Sequence, residues 1–247
     1  MESNCNQEYY LRCERNSVFL LLMAVSGMMG AYTFILRGGA FCNAQTANIV
    51  IMSIAFGEGR WKDGFYFFIP FGAYLAGTFL SEVLPSVVKR YSLVRWDTLL
   101  IAVESFVLFF VGFVPLTVPH QIIQIIINFI AAMQFNTFRQ AEGIPMATTF
   151  CTNHVRQLGV AAAKIVRKHD AVAAHRGKLH LLMLLSFLGG GVLLSFSVQF
   201  LQEKSIWLAI VPLLMILVNL IHADLVRSMT NYLHAARTLM MLQKLVP

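Results

Sequence analysis

Glu104 is the residue whose type and setting ask most for chemistry. It lies in LLIAVESFVLFF, midway along the apolar block Trp96–Pro115. A carboxylate at that depth in a bilayer is costly and is a functional candidate on that ground. It would carry a proton, or stay neutral and bond a neighbouring helix. Two triplets come next, Thr46-Ala47-Asn48 and Thr152-Asn153-His154, the second followed by Arg156. A hydroxyl at the head of a short helix can accept from its orphan N–H groups, so Thr46 and Thr152 are candidate N-caps. Arg156 would hold an anion or reach the interface on its long stem. Asn136, with Asn128 and Gln134, places amides on one apolar block, fit to line a polar path or to bond between helices. Cys151 and His154 are two potential metal ligands, and two do not make a zinc site. His169, His175 and His180 read as members of a solvated basic loop. No metal or cofactor is expected. The chain has no G-x-S-x-G, no Walker A and no H-E-x-x-H, so no catalytic residue is assigned.

These residues need a membrane to sit in. The chain of 247 residues is 57% hydrophobic and 13% charged, with mean hydropathy +0.67, where a soluble domain carries about 25% charged residues. That excludes a soluble enzyme, a disordered chain and a fibrous repeat. About twenty apolar residues span a bilayer as a helix. Six blocks qualify: Ser17–Leu36, Gly64–Leu84, Trp96–Pro115, Pro119–Phe138, Leu179–Phe200 and Ile206–Leu225. The first reads as an uncleaved span and not a signal peptide, because it is long and lacks an A-x-A site. Two shorter stretches, Thr46–Phe56 and Met146–Val166, read as half-helices that do not cross. The fold class is therefore all-α integral membrane.

With six crossings, four of the 19 Lys and Arg (Arg37, Arg60, Lys62 and Lys204) fall on one face and the rest on the other. The positive-inside rule then places both termini in the cytoplasm. Eight crossings weaken that split and strand Arg156 in the membrane. The net charge of +7 is accounted for by orientation, so no nucleic-acid partner is expected. The four cysteines, Cys5, Cys13, Cys42 and Cys151, have neither a disulfide framework nor zinc spacing. Residues 1–16 form a cytoplasmic tail, 17–225 one membrane domain, and 226–247 a second cytoplasmic tail.

Two segments of that domain look alike. TFILRGGAFCNAQTANIV starts at Thr33 and TFRQAEGIPMATTFCTNHVR at Thr137. Thr33-Phe34 matches Thr137-Phe138, Gly38 matches Gly143, and Thr46-Ala47-Asn48 matches Thr152-Asn153-His154, with one-residue slips. Each half, about 17–115 and about 119–225, reads long helix, short stretch, long helix, long helix. Three crossings per half make the second half inverted, an architecture of secondary transporters. The heads of the two short helices would then face a common central site with their positive dipole ends. The plain alternative is a pair of interfacial helices without a ligand.

RGGAFCNAQTANIV and GIPMATTFCTNHVRQLG resemble the YoaK-like family, the domain of unknown function 1275, from about Gly27 to about Asn219. The resemblance implies a multi-pass, mostly bacterial plasma-membrane protein and no particular reaction. The family motif usually reads Thr-Gly-Asn in both halves, and members often carry Asp where this chain has Gly30, so the resemblance also implies a divergent copy.

The functional expectation is a small secondary transporter or channel with a midplane site for a small, anionic solute. Thr46, Asn48, Glu104, Asn136, Thr152, Asn153, His154 and Arg156 are its candidate residues. The alternatives are an intramembrane enzyme acting on a lipid and a structural or regulatory protein without substrate. The partner expected in every case is the lipid bilayer, and a homo-oligomer is left open. The topology has a direct check. Single cysteines at Lys204 and Arg90 should react with an impermeant maleimide from opposite faces, and labelling from the same face would remove the six-span reading.

Overall fold

The computed structural model describes residues 11–91 and 94–243. Cys5, Lys244 and most of the expected N-terminal tail lie outside the described residues. Eight α-helices follow in order: α1 (Asn16–Leu36), α2 (Gln45–Gly57), α3 (Trp61–Tyr91), α4 (Trp96–Val111), α5 (His120–Thr137), α6 (Thr152–Lys168), α7 (Ala171–Leu201) and α8 (Ile210–Gln243). A two-residue hairpin, Gln140–Ala141 against Ile144–Pro145, lies between α5 and α6, and a 3-10 turn, Gln202–Ala209, lies between α7 and α8. The all-α expectation holds.

Each apolar block became a helix, and local chemistry ends most of them. Beyond α1, Gly38 and Gly39 adopt φ of 80° and 75°, a left-handed conformation that glycine takes without penalty. α6 stops at His169, whose left-handed φ of 48° closes the helix. Asp170 then caps α7 by accepting from the Val172 and Ala173 N–H groups at 2.9 and 3.0 Å. That cap starts α7 earlier than the expected Leu179. His175, Arg176 and Lys178 are therefore helical and not a basic loop. α8 runs past Leu225, where a tail was expected.

Length and apolarity alone single out three segments able to cross a membrane, Asn16–Leu36, Trp61–Arg90 and Ala171–Met229, where six were expected. The third is interrupted at Gln202 (φ 45°), where α7 ends. α4 has 16 residues, and α5 carries Gln121, Gln124, Asn128, Gln134 and Asn136. α4 thus falls short on length, and the amides of α5 lower its apolarity.

Side-chain pairings give the helix directions. Leu20 meets Ser186, Ala24 meets Gly190 and Gly27 meets Gly191, so α1 and α7 run parallel. Tyr66 meets Gln124, Gly77 meets Phe129 and Ser81 meets Asn136, so α3 and α5 run parallel too. Thr98 bonds Asp224 and Phe109 bonds Trp207, so α4 and α8 are antiparallel. α1 begins and α8 closes at the same end of the bundle, where Cys13 and Arg227 border one cavity. The outward faces of α3, α4, α7 and α8 expose Leu75, Phe79, Phe106, Leu188, Phe196 and Val218. Apolar surface on that scale marks a membrane protein, with lipid covering it.

The parallel pairs depend on glycine. A Cβ on Gly190 would stand 2.1 Å from the Ala24 carbonyl oxygen, one on Gly27 2.0 Å from that of Phe187, and one on Gly77 2.3 Å from that of Phe129. Here backbone meets backbone, the close approach that small residues allow between membrane helices. Gly189 has nothing within 4 Å of such a Cβ. Gly190→Ala should therefore destabilise the protein by about 1–3 kcal/mol, read by unfolding in mixed micelles, while Gly189→Ala should stay within about 0.5 kcal/mol of wild type.

Candidate functional site

After α1 the chain turns at Gly38-Gly39 and doubles back along the helix it has left. Asn43 donates to the Ser26 carbonyl at 3.0 Å, near the middle of α1. Gly30 leaves room for it, since a Cβ there would lie 2.9 Å from the Asn43 amide nitrogen. From that depth α2 starts back toward α3. Asn48, in the first turns of α2, fastens the descending strand: its Oδ1 accepts from Phe41 N–H at 3.0 Å and its Nδ2 donates to Phe41 C=O at 2.6 Å. After α5 the pattern recurs. Glu142 and Gly143 take φ of 47° and 76° at the hairpin tip. Met146, Ala147, Thr148 and Thr149 then run buried into the bundle, and α6 starts at Thr152. His154 Nε2 donates to the Ala147 carbonyl at 2.8 Å. Asn48 and His154 each reach seven residues back.

The expectation that Thr46 and Thr152 cap these helices is corrected. The cap positions are Ala44 and Cys151, neither with a side-chain cap bond, and both threonines are exposed. Asn48 and His154 hold the loops instead because their longer side chains reach the strand, which a threonine hydroxyl at the first turn does not. Thr46 and Thr152 lie outside the interior cluster.

The two descending segments both come near Tyr74 of α3, through Cys42 of the first and Thr149 of the second. Cys42 also neighbours Thr33 and lies within electrostatic reach of Glu104. Glu104 is fully buried on the inward face of α4, with Leu100, Ile101 and Leu108. Among the described residues neither of its carboxylate oxygens has a hydrogen-bond partner. The Gln134 side-chain oxygen and the Thr148 and Thr149 hydroxyls are likewise buried without partners. Gln134 Nε2 donates to Ser26 Oγ at 3.2 Å, beside the residue that receives Asn43. Glu104, Gln134, Thr148 and Thr149 thus keep uncommitted oxygen atoms inside the bundle, which suit a cation or a donor-rich solute. Among the described residues no three His, Cys, Asp or Glu side chains come together as a metal cluster.

Other candidates sit apart. Arg156 is exposed and donates to Asn153 Oδ1 at 3.1 Å. Asn136 donates to Ser81 Oγ at 2.8 Å and to Glu82 at 3.0 Å, with Arg139 bonded to the same carboxylate. It borders a cavity of about 830 Å³ at the end where α1 begins, lined also by Glu82, Lys89, Arg95 and Asp97 and by none of the other candidates. At that cavity burial pushes the Cys13 thiol up from its ordinary value, with the Asp97 carboxylate adding to it.

Two residues were missed. Arg37, counted among the loop charges, is fully buried; it donates to Tyr32 Oη at 2.9 Å and to the carbonyls of Val114 and Pro115 at 2.6 and 3.2 Å. Carbonyls beyond the end of α4 suit a guanidinium, which needs many acceptors. His180, assigned to a loop, is buried against His154, their Nδ1 atoms 2.9 Å apart. Its place inside the apolar block Leu179–Phe200 was the available signal.

The Asn48 clamp supplies a test. Asn48→Ala removes both bonds to Phe41 and leaves a buried N–H and C=O open, which should destabilise by about 1–3 kcal/mol. Thr46→Ala should be near neutral in the same thermal unfolding assay.

A family model described as "Protein of unknown function (DUF1275)" matches residues 18–219, from the first turn of α1 into α8. No curated protein and no solved structure matches the chain. The match takes in both re-entering loops and every candidate residue, and on that ground the chain belongs to the DUF1275 family.

Proposed function

We propose that the chain is a small secondary transporter or channel of six spans (α1, α3, α4, α5, α7 and α8) in a bacterial plasma membrane, with both termini cytoplasmic and its solute site where the two re-entering loops meet. The observation that carries this reading is the way the packing maps onto itself. Exchange α1 with α5, α2 with α6, α3 with α7 and α4 with α8. The pair α1·α7 then becomes α5·α3, α2·α3 becomes α6·α7, α1·α8 becomes α5·α4, and α4·α8 maps onto itself. Gly77 and Gly190 exchange roles at the two parallel crossings. So do the left-handed pairs Gly38-Gly39 and Glu142-Gly143, and the clamps Asn48 and His154. Such a relation supports an inverted repeat, and broken helices at a repeat interface are where transporters bind solute and coupling ions.

Glu104 is the residue expected to respond to the coupling ion. A buried carboxyl without a partner lowers stability and is out of place in a purely structural core. The experiment is flux into liposomes holding the purified protein, screened over small cations, anions and metabolites under an imposed pH gradient. Glu104→Gln should fold and lose the pH dependence of the flux. Glu104→Leu should abolish that dependence and raise stability by about 1–3 kcal/mol, because it removes an unpaired polar group. Flux unchanged in both variants would overturn the role of Glu104. A complete absence of flux over the panel would favour a protein without a transported substrate.

A further inference from the structure

His154 and His180 form a pair that transport as proposed above does not require. His154, at the head of α6, is fully buried, and His180, in the third turn of α7, is nearly so. Their rings lie 5.1 Å apart, inclined at 58°, with Nδ1 facing Nδ1 at 2.9 Å. His154 Nε2 lies 2.8 Å from the Ala147 carbonyl oxygen. These contacts fix the protons. A carbonyl oxygen only accepts, so His154 Nε2 carries a hydrogen. In the neutral ring its Nδ1 is then an acceptor. At 2.9 Å the two Nδ1 atoms share one hydrogen, so His180 donates from Nδ1, and its own Nε2 is left as the base of the pair.

We propose that His154 and His180 together bind a single proton at the head of the second re-entering loop. The proton adds to the lone pair of His180 Nε2. No bond breaks: Nδ1–H of His180 still donates to His154, and Nε2–H of His154 still donates to Ala147. The charge spreads over both rings as the shared hydrogen slides between the Nδ1 atoms. A second proton would need the lone pair on His154 Nδ1 that the shared hydrogen already occupies, so it enters only by breaking the pair and loosening α6 from α7.

The charged groups on the elements around the pair are mostly basic. α7 carries Asp170 at its cap and His175, Arg176 and Lys178 in its first turns, of which Arg176, one turn earlier, acts on His180. α1, packed along α7, carries Tyr32 alone as a titratable group between Asn16 and Leu36. α6 brings Arg156, Lys164, Arg167 and Lys168, with Cys151 at its cap. The 3-10 turn packed on α7 brings Glu203 and Lys204 at the opposite end of that helix. In the first half the mirrored position is Asn48, whose amide does not titrate, so proton binding belongs to one half only.

The test is nitrogen NMR on the full-length protein, labelled at histidine with ¹⁵N, in lipid vesicles across an acid titration. A hydrogen-bond coupling between the two Nδ1 nuclei is expected. On acidification one Nε2 resonance of the pair should shift to its protonated position while that coupling persists. His154→Asn, which keeps the amide used at position 48, should lose the coupling and leave His180 to titrate as a lone imidazole. The wild-type spectra decide the question if the variant does not fold. Absence of the coupling, or uptake of a proton by each ring in the same range with the coupling lost, overturns the proposal. The outcome is independent of whether any solute crosses the membrane.

Discussion

Backbone that enters a hydrocarbon layer without forming a helix must still satisfy each N–H and C=O, since lipid offers no partner. The same holds for non-helical backbone buried in a bundle, as at residues 40–44 and 146–151, and interior polar side chains of this protein are arranged around it. Asn48 returns both a donor and an acceptor to Phe41. His154 gives its donor to Ala147. Gln124 Nε2 bonds the Arg37 carbonyl and Tyr66 Oη together, and Gln45 reaches Asn128 Oδ1 at 2.8 Å. Removal of Asn48, His154 or Gln124 takes away the bond that Phe41, Ala147 or Arg37 backbone makes here, which ties the loops to the helices that flank them.

The loops can reach mid-depth only because the long helices approach one another elsewhere at backbone distance. Gly27, Gly77 and Gly190 bring α1 onto α7 and α3 onto α5 with no side chain between them. Gly30 keeps the face of α1 open to Asn43. Close helix packing outside and room for a strand inside therefore have one cause, the distribution of small residues along α1, α3 and α7. Gly112 follows the same logic at the far end, where a Cβ would stand 2.1 Å from the Trp207 indole nitrogen that donates to Phe109 C=O.

Much of this was legible in the sequence because apolar length and glycine placement are local signals. The eight helices fall on the blocks read from hydropathy, and the two similar segments lie at the two loops that turn back into the bundle. Glu104 was placed inside, and its burial agrees. The rest depends on distant partners. A threonine at the head of a short apolar stretch looks like a cap, yet Asn48 and His154 take the loop contacts because a strand lies seven residues behind them. Arg37 reads as a surface charge until the carbonyls of Val114 and Pro115 are set beside it. His180 reads as part of a basic loop until Asp170 caps the helix that carries it inward. Asn136 reads as an interior amide, yet it bonds Ser81 and Glu82 at one end of the bundle.

The turns that follow α1 and α5 meet opposite local demands. At the end of α1 the chain meets the carbonyls of Val114 and Pro115 beyond α4, and Arg37 supplies donors to them. At the mirrored hairpin it meets the start of α1, where N–H groups are open, and Glu142 supplies acceptors: its carboxylate oxygens take the Asn16 N–H at 3.2 Å and the Asn16 side-chain amide at 2.5 Å. Orphan carbonyls call for a cation and orphan N–H groups for an anion, by the same dipole argument with opposite sign. The two turns therefore select opposite charges. The clamps differ likewise: each reaches seven residues back along its own loop, and the histidine alone keeps a second ring nitrogen for a neighbour on the next helix. Each turn and each clamp thus takes the side chain that its own local partner requires.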